Sequence, residues 1–274
     1  MQMKNPETKL FAVIGFPAGH SRSPLMHNLW FKEENLNCKY FAFETKPENL
    51  KKTFAAFKVL KFHGINITLP HKTAALKFID VKDASVKAAG SVNTVLFKDG
   101  KTYGYNTDCG GFSRDLKDKK INVRNKTVFL YGAGGAAKAA AYALKKDGAE
   151  KIYIANRTFK KAQKLADIFG LTAVKKENTA EIASAAHIIV NASSCGMNKS
   201  DVLPFSAKPK NKKAVVYDLI YNKNTPFKAF AKKFNLKYFS GEGMLVRQGA
   251  AAFKIWTGIY PDVEKAGKLL KSLS

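Results

Sequence analysis

Residues 127–137 read Thr-Val-Phe-Leu-Tyr-Gly-Ala-Gly-Gly-Ala-Ala, and this stretch decides the fold. Thr127 to Tyr131 is an apolar run of strand length, and Gly135 to Lys146 is an alanine-rich run of helix length. Between them, Gly132, Gly134 and Ala137 stand at the G-x-G-x-x-A spacing. Gly132 suits the tight strand-to-helix turn, Gly134 lets backbone approach a pyrophosphate, and Ala137 lets the helix pack closely on the strand. Gly132, Ala133, Gly134, Gly135 and Ala136 therefore form a candidate dinucleotide cradle. The next strand, Lys151 to Ala155, ends in Asn156-Arg157-Thr158, with Asn156 24 positions after Gly132. An NAD site expects a carboxylate there for the ribose 2′-hydroxyl. A guanidinium instead binds a 2′-phosphate bidentately, so the spacing favours NADP, with Arg157 as its main anchor.

Outward from this turn the β-α alternation continues. On the C-terminal side come helix Phe159 to Phe169, strands His187 to Val190 and Ala214 to Asp218, and helix Pro226 to Phe234. On the N-terminal side, strands are expected at Lys9 to Gly15, Tyr40 to Phe43 and Gly64 to Thr68. Helices are expected from Leu25 to Glu34, with Ser23 as N-cap and Pro24 at the first helical position, and from Pro47 to Phe57. Val92 to Phe97 and Tyr103 to Asn106 flank Asp99-Gly100 as a hairpin. Asp108 reads as the N-cap of a helix over Cys109 to Leu116, and the polar stretch Lys117 to Lys126 reads as a hinge. Two strand series imply an α/β protein of two domains. Residues 1–107 form a substrate domain with a mostly parallel sheet, and residues 108–242 a doubly wound Rossmann-type NADP domain. Residues 243–274 are C-terminal helices that return to the first domain, and the cleft between the domains is the expected site.

Composition excludes several other classes. The chain has 274 residues, 46% of them hydrophobic, which is ample for real cores. No apolar run reaches the ~18 residues of a membrane span, and Met1 to Lys9 is too polar for a signal peptide, so a cytoplasmic protein without a membrane partner is expected. Three dispersed cysteines, Cys38, Cys109 and Cys195, support neither a disulfide framework nor a metal site. The net charge of +26 raises a different class, a nucleic-acid or anionic-surface binder on a degenerate Rossmann domain. Its lysines fall as doublets on polar helix faces, such as Lys51-Lys52 and Lys145-Lys146, which reads as solvated surface rather than a nucleic-acid site.

The first half carries its own chemistry. Ser21-Arg22-Ser23 leads into a helix N-terminus, where free N–H groups favour an anion. Asn66-Ile67-Thr68-Leu69-Pro70-His71-Lys72 closes a strand at the edge where α/β sheets bind ligands, and Lys72 is a candidate acid–base group there. Asn106-Thr107-Asp108 ends another strand, and Asn93-Thr94 and Gln248 are neutral groups suited to hydroxyls.

Together with Gly90 to Thr94, Asn191-Ala192-Ser193, Asp218 to Tyr221 and Gly243 to Ala250, these stretches resemble, in order, the shikimate dehydrogenase family. The resemblance implies NADPH-dependent reduction of 3-dehydroshikimate to shikimate, a step toward chorismate and the aromatic amino acids. It implies that Ser21 and Ser23 hold the substrate carboxylate with Tyr221 nearby, and that Asn66, Thr68, Asn93, Asp108 and Gln248 hold ring hydroxyls. Lys72 and Asp108 would be the catalytic pair. Asn156, Arg157, Thr158 and Met244 would join the glycine turn in holding NADP. Lys161 stands where the family often has a second arginine. A quinate or dual quinate/shikimate dehydrogenase is the neighbouring alternative, and a monomer or homodimer is expected.

Overall fold

The computed structural model describes residues 7–221 and 224–272. Residues 1–6, most of the polar opening, and residues 273–274 of the expected C-terminal segment lie outside them. The chain divides into two compact units, one of residues up to Thr107 together with those from Leu245 onward, the other Asp108–Met244.

In the first unit, β1 (Lys9–Gly15), β2 (Cys38–Glu44), β3 (Gly64–Ile67), β4 (Val81–Lys82), β5 (Thr94–Lys98) and β6 (Lys101–Tyr105) form one sheet in the order β2-β1-β3-β5-β6-β4. β1 runs parallel to β2 and β3, whereas β3, β5 and β6 are antiparallel neighbours. Strand period decides which side chain goes where. Phe11 and Val13 face a core with Met26, Trp30 and Phe31, while Ala12 and Ile14 face the other with Leu50, Phe54 and Phe57. Asp99 and Gly100 both take positive φ, 50° and 72°, the geometry of a type I′ hairpin turn. The helices are α1 (Ser23–Glu33), α2 (Leu50–Val59) and α3 (Ala84–Ala89), completed by the C-terminal pair described below. Ser23 is the first helical residue rather than the cap: the cap position is Arg22, which makes no side-chain capping bond. Ser21 takes over part of that role, its Oγ accepting from the Ser23 N–H at 3.3 Å.

The second unit opens with α4 (Thr107–Asp118), whose first residue still belongs to the first unit. Asp108 is therefore inside the first helical turn, not its N-cap; the helix starts two residues earlier, at Thr107, whose N–H is held by Asn93 Oδ1. β7 (Thr127–Tyr131), β8 (Lys151–Ala155), β9 (Thr172–Ala173), β10 (Ile188–Asn191), β11 (Val215–Asp218) and β12 (Lys237–Ser240) form an all-parallel sheet in the order β12-β11-β10-β7-β8-β9. That is a doubly wound order, reversing direction between β7 and β10. α5 (Gly135–Lys146) and α6 (Phe159–Phe169) join α4 over one face, where Val128 and Leu130 point. α7 (Thr179–Ala185) and α8 (Pro226–Lys233) cover the other, where Phe129 and Val216 point. The stretch 117–126 is not a hinge. It lies within this unit, with Ile121 and Val123 buried in its core and Lys119 ion-paired to Asp115 one helical turn back.

α9 (Glu242–Thr257) begins in the second unit and carries the chain back to the first, where α10 (Val263–Ser272) ends it. Gly249 lies against α1: a Cβ there would lie 2.2 Å from Met26 Cε, so any larger residue would need the Met26 side chain to move.

Candidate active site

In the first unit, polar side chains gather behind the carboxyl ends of β1 and β3. Gly15 and Thr68 end these neighbouring strands so closely that a Cβ on Gly15 would lie 2.3 Å from Thr68 Cγ2. Beneath that edge runs a buried chain of hydrogen bonds. Tyr40 Oη donates to Asn66 Oδ1 at 2.7 Å, and Asn66 Nδ2 donates to Asn93 O and Thr94 Oγ1, both at 3.0 Å. Asn93 Oδ1 accepts the Thr107 N–H at 2.8 Å, and Asn93 Nδ2 donates to Thr107 Oγ1 at 2.9 Å and to Gln248 Oε1 at 3.2 Å. Gln248 Nε2 donates onward to Leu245 O at 2.8 Å, which anchors the amide on α9. Ser23 joins from the other side by bonding the Tyr40 side chain; burial, the larger effect, still drives the Tyr40 phenol well above its usual range.

Such an array is a neutral template. Its members hold one another in fixed rotamers, so donor and acceptor directions are set before any ligand arrives. The loop after β3 supplies the charge. Thr68 and Lys72 are half-buried on it, and it is pinned where Thr68 O accepts from His71 N–H, His71 Nε2 meets Thr45 O at 2.7 Å, and Lys72 O accepts from Val92 N–H. Ser21 is half-buried and Ser23 buried at the start of α1. Asp108 is 3% exposed and follows Thr107 directly in the chain.

In the second unit, Gly132 has φ 125° and its N–H donates to Ala155 O at 2.8 Å. A Cβ there would lie 2.6 Å from the Ala192 backbone, where β7 and β10 part, so the turn admits only glycine. Gly134 is the exposed N-cap of α5, and a Cβ on it would meet nothing within 4 Å. Ala133, Gly135 and Ala136 are half-buried around it, and Ala137 is buried against the sheet. The open space at Gly134 and the unpaired N–H groups of α5's first turn fit a pyrophosphate. Arg157 and Thr158 are exposed beyond β8, Asn156 Nδ2 donates to Thr158 O at 3.1 Å, and Thr158 makes no side-chain bond to α6. Met244 is buried, in a core cluster with Phe112, Leu130, Ala192 and Tyr217 against which Ala133 of the glycine turn also packs. Tyr221 is half-buried beyond β11.

Three residues at these sites carry no sequence assignment. Tyr40 reads as an ordinary strand aromatic, and Thr107 lies unremarked inside the Asn106-Thr107-Asp108 run, although its side chain and backbone fix Asn93. Asp218 is fully buried, accepting from Asn191 Nδ2 at 2.8 Å and Thr225 Oγ1 at 2.6 Å. Burial raises its carboxyl, against the lowering effect of those bonds. It ties the loops after β10 and β11 together. Among the described residues no group of three His, Cys, Asp or Glu could hold a metal ion. No helix among them is long and apolar enough to cross a membrane.

The glycine turn and amide template now stand beside three family matches. Residues 13–95 match the shikimate dehydrogenase substrate binding domain, residues 115–224 the shikimate/quinate 5-dehydrogenase model, and residues 241–268 the shikimate 5′-dehydrogenase C-terminal domain. The chain belongs to the shikimate dehydrogenase family. The NADP(+) shikimate dehydrogenase of Aquifex aeolicus is 44% identical over 93% of this chain and 94% of its own. That of Methanocaldococcus jannaschii is 43% identical over 96% of each. The solved Thermus thermophilus shikimate 5-dehydrogenase, in complex with NADP(H) and shikimate, superposes with a TM-score of 0.82 at 37% identity, covering 95% of this chain and 97% of its own. One unit offers hydroxyl-sized hydrogen-bonding sites and the other a dinucleotide cradle.

Proposed function

We propose that the chain catalyses the reversible, NADPH-dependent reduction of 3-dehydroshikimate to shikimate, on the route to chorismate and the aromatic amino acids. The observation that carries this is the buried Asn66-Asn93-Thr107-Gln248 array beside the Thr68 to Lys72 loop. A ring bearing several hydroxyls needs several fixed neutral partners, and a site built so rejects analogues that leave those partners unpaired. Ser21 and Ser23 hold the carboxylate, with Tyr221 nearby. Asn66, Thr68, Asn93, Asp108 and Gln248 hold the hydroxyls.

Gly132, Ala133, Gly134, Gly135 and Ala136 hold the pyrophosphate, and Asn156, Arg157 and Thr158 the adenosine 2′-phosphate. Met244 contributes through the packing of that unit. NADPH bound there supplies the hydride. Lys72 Nζ donates a proton to the C3 oxygen as negative charge develops on it, and its ammonium stabilises that charge. Asp108 orients the ammonium and the neighbouring hydroxyl, so that the proton is delivered in one geometry. In the reverse direction Lys72 accepts the same proton.

We place the enzyme in the cytoplasm as a monomer or homodimer without a nucleic-acid partner; its three cysteines are free thiols, as a reducing compartment requires. The experiment is NADP reduction followed at 340 nm with shikimate and quinate side by side. Shikimate should turn over with NADP far faster than with NAD, and faster than quinate. Comparable quinate turnover would make this the dual enzyme, and turnover of neither would refute the reading.

A further inference from the structure

Away from the glycine turn, at the amino ends of β10, β11 and β12, the second unit carries a groove of about 770 Å³. Lys119, Lys120, Lys126, Lys210, Lys213 and Lys237 line it, and no Asp or Glu does. They come from four separate stretches of chain: the end of α4, the approach to β7, the strap before β11 and the start of β12. The carboxyl termini of α4 and α7 at this edge account for one or two cations, not for six around one concavity. Lys119 is ion-paired with buried Asp115; the other five extend into solvent or its margin.

The walls are built rather than loose. Ser184 Oγ donates to Lys208 O at 2.5 Å and Lys210 N–H to Ser184 O at 2.9 Å, which fastens the strap to α7. Lys213 N–H donates to Asn211 Oδ1 at 3.0 Å. His187, also in the lining, accepts the Thr127 N–H on Nδ1 at 3.1 Å, which leaves Nε2 as the ring's donor.

We propose that this groove is a second anion site, which takes a compact, multiply charged phosphate chain. Lysines are point charges without the planar fork of arginine, so they suit a polyanion held by charge rather than one read by shape. The volume is that of a small-molecule site. Phe239, the aromatic in the lining, is half-buried and has the Lys119 ammonium over one face at 5.6 Å, so it is not an open platform for a base. The ligand chemistry is therefore the phosphate chain itself, whether free or carried by a nucleoside. The groove and its charge stand apart from the function proposed above; only the NADP⁺ block and the Arg157 control in the test rest on that reading, and the triple variant and the acetylation readout do not.

The test is calorimetric titration of the full chain with inorganic tripolyphosphate under saturating NADP⁺, which blocks the cofactor's own phosphate contacts. One tripolyphosphate should bind per chain, weaken steeply with salt, and lose at least about tenfold in affinity in the triple variant Lys126→Gln/Lys210→Gln/Lys213→Gln. Arg157→Ala should leave it unchanged. ATP binding as tightly as tripolyphosphate would assign a nucleoside source, and weaker ATP binding a free one; both support the site. In the unmodified protein, tripolyphosphate should also shield these lysines from acetylation, read by mass spectrometry, whether or not the triple variant folds. Absence of binding, competition by NADP⁺, an unaffected triple variant, or binding of duplex DNA that tripolyphosphate cannot displace would overturn it.

Discussion

On the proposed function, the two units recognise their ligands by opposite means. In the first, the recognising groups are side chains already bonded to one another: Asn93 is 2% exposed and engages Thr94, Thr107 and Gln248 at once. In the second they are backbone and solvent: a turn that only glycine can make, open space at Gly134, and an exposed Arg157. A small rigid ring with several hydroxyls needs a template fixed in advance. A long anion with a pyrophosphate and a 2′-phosphate can be met by N–H groups and one exposed guanidinium. A change in the first unit should therefore reach chemistry or stability, and a change at the rim of the second should reach affinity alone.

The largest effect is expected at Lys72. Lys72→Ala removes the proton donor while the amide template stays intact, so kcat should fall about 10³-fold with little change in the KM for shikimate. A drop in KM-derived specificity with kcat preserved would move Lys72 from chemistry to binding. Next comes Asn93→Ala, which strands the Thr107 N–H and the Gln248 amide in a buried site. Unfolding by urea should show a loss of about 3 kcal/mol, together with a raised KM for shikimate and an unchanged KM for NADPH. Retained stability would mean that the array does not support the unit that contains it.

The same contrast explains what was legible in the sequence. The glycine turn needs residue types, not partners, so Gly132, Gly134 and Arg157 stand out by spacing, and α5, β8 and α6 have the bounds that periodicity predicts. The template needs partners from five separate segments of the chain, and no spacing discloses that Tyr40 meets Asn66 or that Thr107 meets Asn93. Short elements escaped for a related reason. β4 and β9 have two residues each, too few to show a period, and exist because a neighbouring strand offers an edge. The supposed hinge failed because Ile121 and Val123 anchor a stretch whose polar residues dominate its composition.

His27 extends the comparison to pH. Its ring is fully buried on α1, stacked on Tyr40 at 4.4 Å and surrounded by Trp30, Phe31, Phe253 and Trp256, and neither nitrogen finds a hydrogen-bond partner. Burial lowers its pKa from 6.5 to about 3. In the unfolded chain the ring binds a proton as pH falls through 6.5, whereas in the fold it does not until about 3. Its contribution is thus complete above 6.5 and drains as pH falls toward 3, at about 1.4 kcal/mol per unit. Between pH 7 and about 4.5 the wild type should lose about 3 kcal/mol more than His27→Phe, since other titrating groups cancel in the difference. Equal losses would show that the buried ring is protonated in place.

The smallest effect belongs to the exposed rim. Arg157 is the one charged side chain assigned to the 2′-phosphate, and a charge-assisted pair of this kind contributes about 2 kcal/mol, or about 30-fold in affinity. Arg157→Ala should raise the KM for NADPH by that factor and leave the KM for NADH nearly unchanged, because NADH has no phosphate there to lose. The melting temperature should not move: the side chain is exposed, and α6 is not capped through it. A fall in stability would tie Arg157 to the fold through Tyr131, whose phenol its charge already lowers slightly against the larger raising effect of burial. Equal losses with both cofactors would place the guanidinium on the shared adenosine instead. Either result would break the division between a unit that recognises by buried structure and one that recognises by what it leaves open.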